Sequence, residues 1–297
     1  MTGTVALTCG AARLEVCPDA GASVARYQTM VDGNQVHWLR PASAETLRQG
    51  DPLGMACFPL VPFSNRIRRG RFSFHGRQVT LPSNRSNMPH AIHGHGWQAA
   101  WAVSDRSPEA VTLEYVHAAD AWPYPYRARQ HFRLTDAALS ITLEVENIGG
   151  EAMPAGLGLH PYFSRRDGAR VATAVDRVWL TDDEVLPTEL APVPTDWRLS
   201  DGLDVDAVAL DNGFTGWNGH ARIDWPASGQ ALSIEADAAF RFMVIFTPPG
   251  ADFFCVEPVS HCTDAVNMAA AGRNDTGMAV LSPGERLSGT VTFTPGP

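Results

Sequence analysis

The segment LSITLEVEN, from Leu139 to Asn147, alternates apolar and polar side chains. Its apolar residues Ile141, Leu143 and Val145 fall on one side of an extended chain, and Thr142 falls with two glutamates on the other. Because successive side chains of a β-strand point to opposite faces, this period of two predicts a strand with one buried face. The pattern indicates a sheet that has a core on one side and water on the other.

The same pattern recurs along the chain and predicts an all-β fold. Arg127–Leu134 has the same pattern and precedes the strand predicted at Leu139–Asn147. Thr135-Asp136 between the two segments is a turn signal, so we expect a hairpin. Other short segments of this kind are Arg13–Val16, Val24–Gln28, Val111–Val116, Leu232–Ala236, Phe242–Thr247 and Gly289–Thr294. The 26 Gly and 22 Pro residues suit many turns and few long helices. We expect a large sandwich of antiparallel β-sheets.

No repeat, low-complexity tract or change of composition divides the chain. The segment 182–211 is rich in Pro and Asp and is predicted as a long loop, and loops of that length inside a compact domain are usually functional. We therefore expect one domain that spans residues 1–297.

Composition excludes several classes of function. The 297 residues carry 23 basic and 32 acidic side chains, for a net charge of −9, and every basic residue is Arg. Without lysine there is no Schiff-base nucleophile, no pyridoxal phosphate anchor and no P-loop lysine. A net negative charge also disfavours nucleic acids and anionic membranes as partners.

The cysteines and the N-terminal residues indicate a cytoplasmic protein. Five scattered cysteines without a C-x-x-C pair predict neither a disulfide framework nor a zinc ribbon. No charge precedes Arg13 and no long apolar run follows the N-terminus, so we expect no signal peptide. No segment approaches the ~20 apolar residues of a membrane span.

Three histidines form an H-x-x-H-x-H cluster at His90, His93 and His95. Imidazole titrates near neutral pH, so such a cluster can supply a proton donor and a hydrogen-bonding group for a substrate. Gly94 and Gly96 would let the backbone approach a ligand closely. Packing, turn capping and a metal site are the alternatives; the absence of a nearby glutamate weighs against a cupin-like metal site.

An imidazole and a carboxyl group lie in otherwise apolar segments. His160 stands in GLHPYF and Glu257 in CVEPV, where burial can shift the pKa of either group. A buried carboxylate needs a partner or a catalytic use. The structural alternatives are a backbone hydrogen bond for His160 and an arginine ion pair for Glu257. Arg66 follows the turn-like Ser64-Asn65 and is placed to hold a ligand oxygen.

These residues, in this order, resemble the aldose 1-epimerase, or galactose mutarotase-like, family over roughly residues 60–270. The matching motifs are Asn65-Arg66-Ile67 with Gly70 and Phe72, Ile92-His93-Gly94 with Trp101, His160-Pro161-Tyr162-Phe163, Leu210-Asp211-Asn212-Gly213-Phe214, and Glu257 with Thr263-Asp264-Ala265-Val266-Asn267. Each motif alone is weak, whereas five in order are specific.

The resemblance implies a β-supersandwich and a cofactor-free, metal-free isomerase that interconverts the α and β anomers of a free sugar. By position, His160 resembles the general acid and Glu257 the general base of the family. His93 resembles the second histidine, which orients the sugar near its ring oxygen. Arg66 and Asp211 resemble residues that hydrogen-bond sugar hydroxyls.

Two aromatic residues are candidates for stacking against the C–H face of the sugar, Trp97 and Phe163. The chain reads His93-Gly94-His95-Gly96 where many members read H-G-G, has Pro161 after the acid, and has Thr263 where a proline is usual. It therefore resembles a divergent branch, and the substrate is the part left open.

Three alternatives follow from the same residues. The substrate can be an anionic sugar bound by the arginines of Arg66–Arg71 and Arg165-Arg166, a phosphorylated or sulfonated one for example. The fold can also serve as a non-catalytic sugar-binding module. A metal-dependent isomerase would use His90, His93 and His95. In each case the expected partner is a small monosaccharide, and the protein a monomer or homodimer.

Overall fold

The structure is a computed structural model that describes residues 3–31, 33–166 and 168–296. Within these residues the chain forms 26 strands, in chain order β1 (Val5–Cys9), β2 (Ala12–Cys17), β3 (Ser23–Val31), β4 (Asn34–His37), β5 (Cys57–Leu60), β6 (Arg66–Ile67), β7 (Arg71–Phe74), β8 (Arg77–Thr80), β9 (Ala91–Ile92), β10 (Ala102–Arg106), β11 (Ala110–His117), β12 (Tyr126–Leu134), β13 (Leu139–Asn147), β14 (Met153–Ala155), β15 (Gly158–Ser164), β16 (Arg170–Thr173), β17 (Arg177–Thr181), β18 (Pro187–Pro192), β19 (Leu203–Asp204), β20 (Asp211–Thr215), β21 (His220–Trp225), β22 (Gln230–Ala236), β23 (Phe242–Phe246), β24 (Phe253–Val259), β25 (Ala279–Leu281) and β26 (Arg286–Gly296).

Helical structure is confined to short elements. The helices are α1 (Ala44–Gln49) and α2 (Ala265–Ala270), and the 3-10 turns are Pro52–Gly54, Arg68–Gly70, Gly96–Gln98 and Thr195–Trp197. Among the described helices, none has the length and apolar character needed to cross a lipid bilayer.

Two large antiparallel sheets confirm the predicted all-β sandwich. The first has eleven strands in the order β1-β2-β3-β5-β15-β24-β23-β20-β17-β18, with β4 paired to β3. The second has nine strands in the order β10-β11-β12-β13-β26-β22-β21-β16-β19. One hydrophobic cluster joins the facing sides of both sheets, so the core lies between them. Three small two-stranded ladders, β6-β9, β7-β8 and β14-β25, lie outside the large sheets.

The segment Leu139–Asn147 behaves as its alternation predicts. It forms β13, and Ile141, Leu143 and Val145 have no exposed surface. On the other face Glu144 and Glu146 are partly exposed and pair with arginines of the neighbouring strands. The predicted hairpin with Arg127–Leu134 is confirmed as the β12–β13 ladder.

The predicted long loop at 182–211 contains regular structure. β18 pairs with β17, and the two-residue β19 pairs with β16. Pro187 and Pro192 argue against a strand in the sequence, because proline has no N–H to donate to a neighbouring strand. However, β18 is the edge strand of its sheet, where proline is tolerated. The expectation of an unbroken loop is therefore wrong.

We expect Leu143→Ala to lower the free energy of unfolding by about 2–5 kcal/mol, because it opens a cavity between the two sheets. Val116→Ala on β11 is the matched control: Val116 is 51% exposed, and its truncation should change stability by less than about 0.5 kcal/mol. Chemical denaturation measures both, and equal effects would contradict the assignment of the buried face.

Candidate active site

Strand register brings an imidazole and a carboxyl group together. Tyr162 of β15 pairs with Cys255 of β24, and two residues further along each antiparallel strand stand His160 and Glu257. His160 Nε2 lies 3.3 Å from Glu257 Oε1. The side chains are buried, with His160 7% and Glu257 2% exposed as residues. The two predicted catalytic residues thus form a contacting pair in the middle of the larger sheet.

Neighbouring strands extend this pair into an aromatic floor. Phe58 of β5 lies opposite His160, and their ring centroids are 4.6 Å apart. The ring of Tyr162 is stacked on the imidazole with centroids 4.7 Å apart, and it lies 6.0 Å from the ring of Phe58. On the strands beyond β24, Phe246 of β23 pairs with Asp211 of β20. Period-two geometry therefore places acid, base and hydrogen-bonding groups on one face.

A cavity of about 510 Å³ opens above this floor, within the range of about 300–1,000 Å³ that is usual for small-molecule sites. It is lined by Leu53, Asn65, Arg66, Arg85, Ser86, Asn87, Met88, Ile92, His93, His160, Asp211, Phe246 and Glu257. Five of the predicted site residues, far apart in sequence, meet here: Arg66, His93, His160, Asp211 and Glu257.

Arg66 is fixed from two sides. Asn65 Oδ1 accepts hydrogen bonds from the backbone N–H of Arg66 at 2.9 Å and from its Nη1 at 3.0 Å. Nη2 donates to Asp211 Oδ2 at 3.3 Å. Asn65 is not among the predicted site residues, although the turn-like Ser64-Asn65 is recognisable in the sequence. The guanidinium is held with its charge balanced by a carboxylate, which suits hydrogen bonding to neutral hydroxyls.

His93 is held in one tautomer. Its Nδ1 accepts the backbone N–H of Asn65 at 3.1 Å, so in the neutral ring Nε2 carries the proton. Burial lowers the pKa of His93 well below its ordinary value, and the charges of His160 and Arg66 act in the same direction. His93 therefore presents an N–H donor beside His160, with ring centroids 5.4 Å apart.

The loops that carry these groups have left-handed backbone at non-glycine residues. Positive φ occurs at Asn65 (57°), Arg69 (53°), His93 (61°) and Asp264 (56°). Each such residue is unfavourable by about 1–3 kcal/mol and persists only where its surroundings determine it. Such strain commonly accompanies functional sites.

A layer behind the site supports that backbone. His261 Nε2 accepts the N–H of Ser64 at 3.0 Å, and its Nδ1 donates to the carbonyl of Cys262 at 2.7 Å. Asp264 Oδ1 accepts the N–H of Arg68 at 2.9 Å. Burial lowers the pKa of His261 to about 4, so this imidazole stays neutral near pH 7 and keeps accepting from Ser64.

Burial acts oppositely on the two members of the central pair. It lowers the pKa of His160 to about 3, helped by the charges of Arg85 and Arg40. Burial also raises the pKa of Glu257 well above its ordinary value; the charge of Asp211 adds to the shift, and Arg66 opposes it. Both shifts favour the uncharged forms, so burial favours a pair that holds one proton and has no net charge, with the proton on the carboxyl group.

The three clustered histidines lie in different surroundings. His90 Nδ1 accepts the N–H of Arg69, His93 lines the cavity, and the ring of His95 is stacked on His117 with centroids 4.5 Å apart. Three imidazoles that do not converge cannot share an ion, so the geometry does not support a metal site made from this cluster.

Two other groups bring possible metal ligands within 4.8 Å of one another in the described chain: His95, His117 and Asp120, and His160, Cys255 and Glu257. In the first, the imidazole planes differ by only 8°. Ring lone pairs lie in the ring plane, so parallel rings cannot both point at one ion without rotation. In the second, burial raises the pKa of the Cys255 thiol well above its ordinary value, which disfavours the thiolate that binds metals.

Gly94 serves the backbone rather than a ligand. It has φ +68°, and a Cβ there would lie 2.2 Å from the carbonyl oxygen of Val61. Gly96 similarly approaches the Val61 side chain. The predicted close approach exists, but its partner is Val61, the residue directly after β5, rather than a ligand.

The two predicted stacking residues do not line the cavity. Trp97 lies one layer deeper, stacked on Phe58 at 5.5 Å. Phe163 packs against Phe254 in the core; it is three residues from His160 on one strand, so its side chain points to the opposite face. Phe246 is the aromatic side chain that lines the cavity, and only the strand pairing places it there.

Comparison with known proteins agrees with this architecture. A family model described as aldose 1-epimerase matches residues 4–294. The uncharacterized Escherichia coli K12 protein YphB is 36% identical over 271 residues, 83% of this chain and 87% of YphB. A crystal structure of an E. coli K12 protein proposed to be an aldose 1-epimerase is 30% identical, with a TM-score of 0.88 over 99% of both chains.

More distant structures share the fold. A galactose mutarotase-like protein from Clostridium acetobutylicum has a TM-score of 0.88 at 21% identity, covering 99% of this chain and 95% of the other. The predicted galactose mutarotase-like sandwich is thus confirmed. With a family match over nearly its whole length, the chain belongs to the aldose 1-epimerase family.

Proposed function

We propose that the protein is a cofactor-independent aldose 1-epimerase that interconverts the α and β anomers of a free aldose. The observation that carries this proposal is the buried pair of His160 Nε2 and Glu257 Oε1, 3.3 Å apart in a cavity of sugar size. Family membership supports the same reaction class.

The reaction needs an acid and a base side by side. The anomeric oxygen O1 and the ring oxygen O5 are both bonded to C1, so groups that serve them must be neighbours. Glu257 takes the proton of the O1 hydroxyl, and His160 gives a proton to O5. The C1–O5 bond then breaks as C1=O1 forms. Rotation about C1–C2 and reversal of both transfers yield the other anomer.

The number of protons held by His160 and Glu257 together fits this mechanism. A neutral carboxyl with a neutral imidazole holds the same single proton as a carboxylate with an imidazolium. Transfer from Oε1 to Nε2 across the 3.3 Å contact converts the resting form into the reactive one. A hydroxyl hydrogen-bonded to the developing carboxylate stabilises this reactive form.

The remaining cavity groups bind and orient the sugar. His93 offers its Nε2–H near the ring oxygen, because Nδ1 is already occupied. The ion pair of Arg66 and Asp211 offers donors and an acceptor to neighbouring hydroxyls. Phe246 supplies an apolar surface for C–H groups.

Glu257→Gln and His160→Asn should each lower kcat/KM for anomer exchange by at least about 100-fold, because each removes one of the two proton-transfer groups. Anomerically pure sugars followed by NMR or polarimetry give the rate. Gln keeps the shape of Glu257 and removes a buried ionisable group, so its thermal stability should not fall.

The matched controls are Glu235→Gln and His220→Asn, which change exposed residues of β22 and β21 and should exchange anomers at the native rate. Near-native exchange in Glu257→Gln would overturn the role of this carboxyl. Sugar binding without exchange in the native protein would favour a sugar-binding module instead.

The fall in rate on the acid side of the pH profile should lie well below pH 6.5, the ordinary imidazole value, because a second proton must charge buried His160, whose pKa is lowered to about 3. The fall in rate on the basic side follows loss of the single proton from Glu257, whose pKa is raised, so it lies above the usual carboxyl range. An acid-side fall of kcat/KM with its midpoint near pH 6.5, after correction for uncatalysed exchange, would contradict this pairing.

A further inference from the structure

Of the arginines that suggested an anionic sugar in the sequence, all but Arg71 have partners in the described residues, and Arg71 does not line the cavity. Arg66 pairs with Asp211 inside the cavity. Arg68 lies 3.8 Å from carboxylate oxygens of both Asp182 and Asp264. Arg69 pairs with Glu184 at 2.7 Å. Arg165 donates to the carbonyl of Pro248, and Arg166 to Gln230 Oε1. This set therefore gives no support for an anion site.

Two other arginines near the cavity have no carboxylate partner in the described part of the chain. Arg85 is exposed, lines the cavity, and forms no ion pair within 4.0 Å there. Arg40 likewise forms no such ion pair, and it lies behind the cavity lining: its Nη2 donates to the carbonyl of the lining residue Leu53 at 3.3 Å and to that of Met55 at 3.0 Å. Its guanidinium carbon lies 4.4 Å from the centroid of the Tyr162 ring. In a chain of net charge −9, unpaired arginines beside a cavity stand out.

Both guanidinium groups act on the same end of the cavity. The charges of Arg85 and Arg40 lower the pKa of His160 and oppose the rise in that of Tyr162. The charges that shift the pKa of Glu257 are those of Asp211 and Arg66. The charges that act on Glu257, the proposed base, thus balance each other. The positive charges that act on His160, the proposed acid, are not balanced by a carboxylate partner in the described chain; this side of the cavity is called its positive end.

We propose that Arg85 binds an anionic group on C6 of the substrate and that the charge of Arg40 behind it adds to the attraction, so that the substrate class is an aldose bearing a phosphate, sulfonate or carboxylate at that position. This inference rests on the proposed function, which places His160 at O5 and Glu257 at O1. O5 is bonded to C1 and to C5, so the substituent on the His160 side, away from O1, is the one on C5.

A bound anion would also help the chemistry. The two guanidinium charges oppose formation of the His160 imidazolium, and an anion held by Arg85 offsets that effect. An anionic C6 group should therefore raise kcat as well as lower KM. A neutral sugar leaves the positive end uncompensated and gains neither effect.

The test compares glucose with its analogues that carry a phosphate, a sulfonate or a carboxylate at C6, each as a pure anomer. At low ionic strength at least one analogue should exceed glucose in kcat/KM by about tenfold or more, and the advantage should shrink as salt rises. The ranking of the three analogues identifies which anion the site prefers.

Arg85→Gln should lower the ratio of kcat/KM for the preferred anionic sugar to that for glucose by about 10- to 100-fold, since hydrogen bonds to charged groups are worth about 1.5–3 kcal/mol. The control is Arg133→Gln, an exposed arginine of β12 outside the cavity lining, which should leave the ratio unchanged.

The outcomes separate this inference from the proposed function. Equal rates for glucose and all three analogues, or an unchanged ratio in Arg85→Gln, would overturn the C6 anion site while leaving the epimerase intact. Failure of the native protein to exchange any of the four sugars would overturn the proposed function itself.

Discussion

The imidazole of His160 and the carboxyl of Glu257 face each other across two hydrogen-bonded strands, and burial removes water from both. Everything at the site depends on this pairing. Register fixes their separation, since the side chains are cross-strand neighbours in the middle of an eleven-stranded sheet. Desolvation fixes their charge, since each neutral form is favoured over its ion. A rigid sheet holds such a pair more accurately than a loop can.

The surrounding charges divide the cavity. Asp211 and Arg66 balance each other beside the carboxyl group, whereas the charges of Arg40 and Arg85, which act on the imidazole, have no carboxylate partner in the described chain. In the proposed reaction such a division would give the sugar one orientation rather than two, because its ends would meet different electrostatic potentials. That orientation matters to the proposal because O1 and O5 need opposite proton transfers.

Much of this arrangement can be predicted from the sequence. Period-two segments such as Leu139–Asn147 identify strands because burial of alternate side chains is a local property. Motif order identifies the five polar side chains of the site. The order of strands within a sheet is non-local, however, so neither Phe246 in the cavity nor the edge strand β18 could be foreseen.

Other errors have equally definite causes. Phe163 was assigned to the wrong face, although counting along the strand from His160 places it in the core. Gly94 was assigned to a ligand, whereas its close neighbour is Val61. Arg85 stands in an exposed loop without any periodic pattern, and only the cavity around it shows that its charge faces the site.

The left-handed backbone around the cavity narrows the range of tolerated mutations. Asn, Asp and His are the non-glycine residues most often found with positive φ, and Asn65, Asp264 and His93 are of these three types. At His93 conformational and hydrogen-bonding demands coincide, so few of the other amino acids can satisfy both. Substitution at such a position is constrained for two separate reasons, and a randomised library should recover far less diversity there than at a neighbouring loop residue of ordinary geometry.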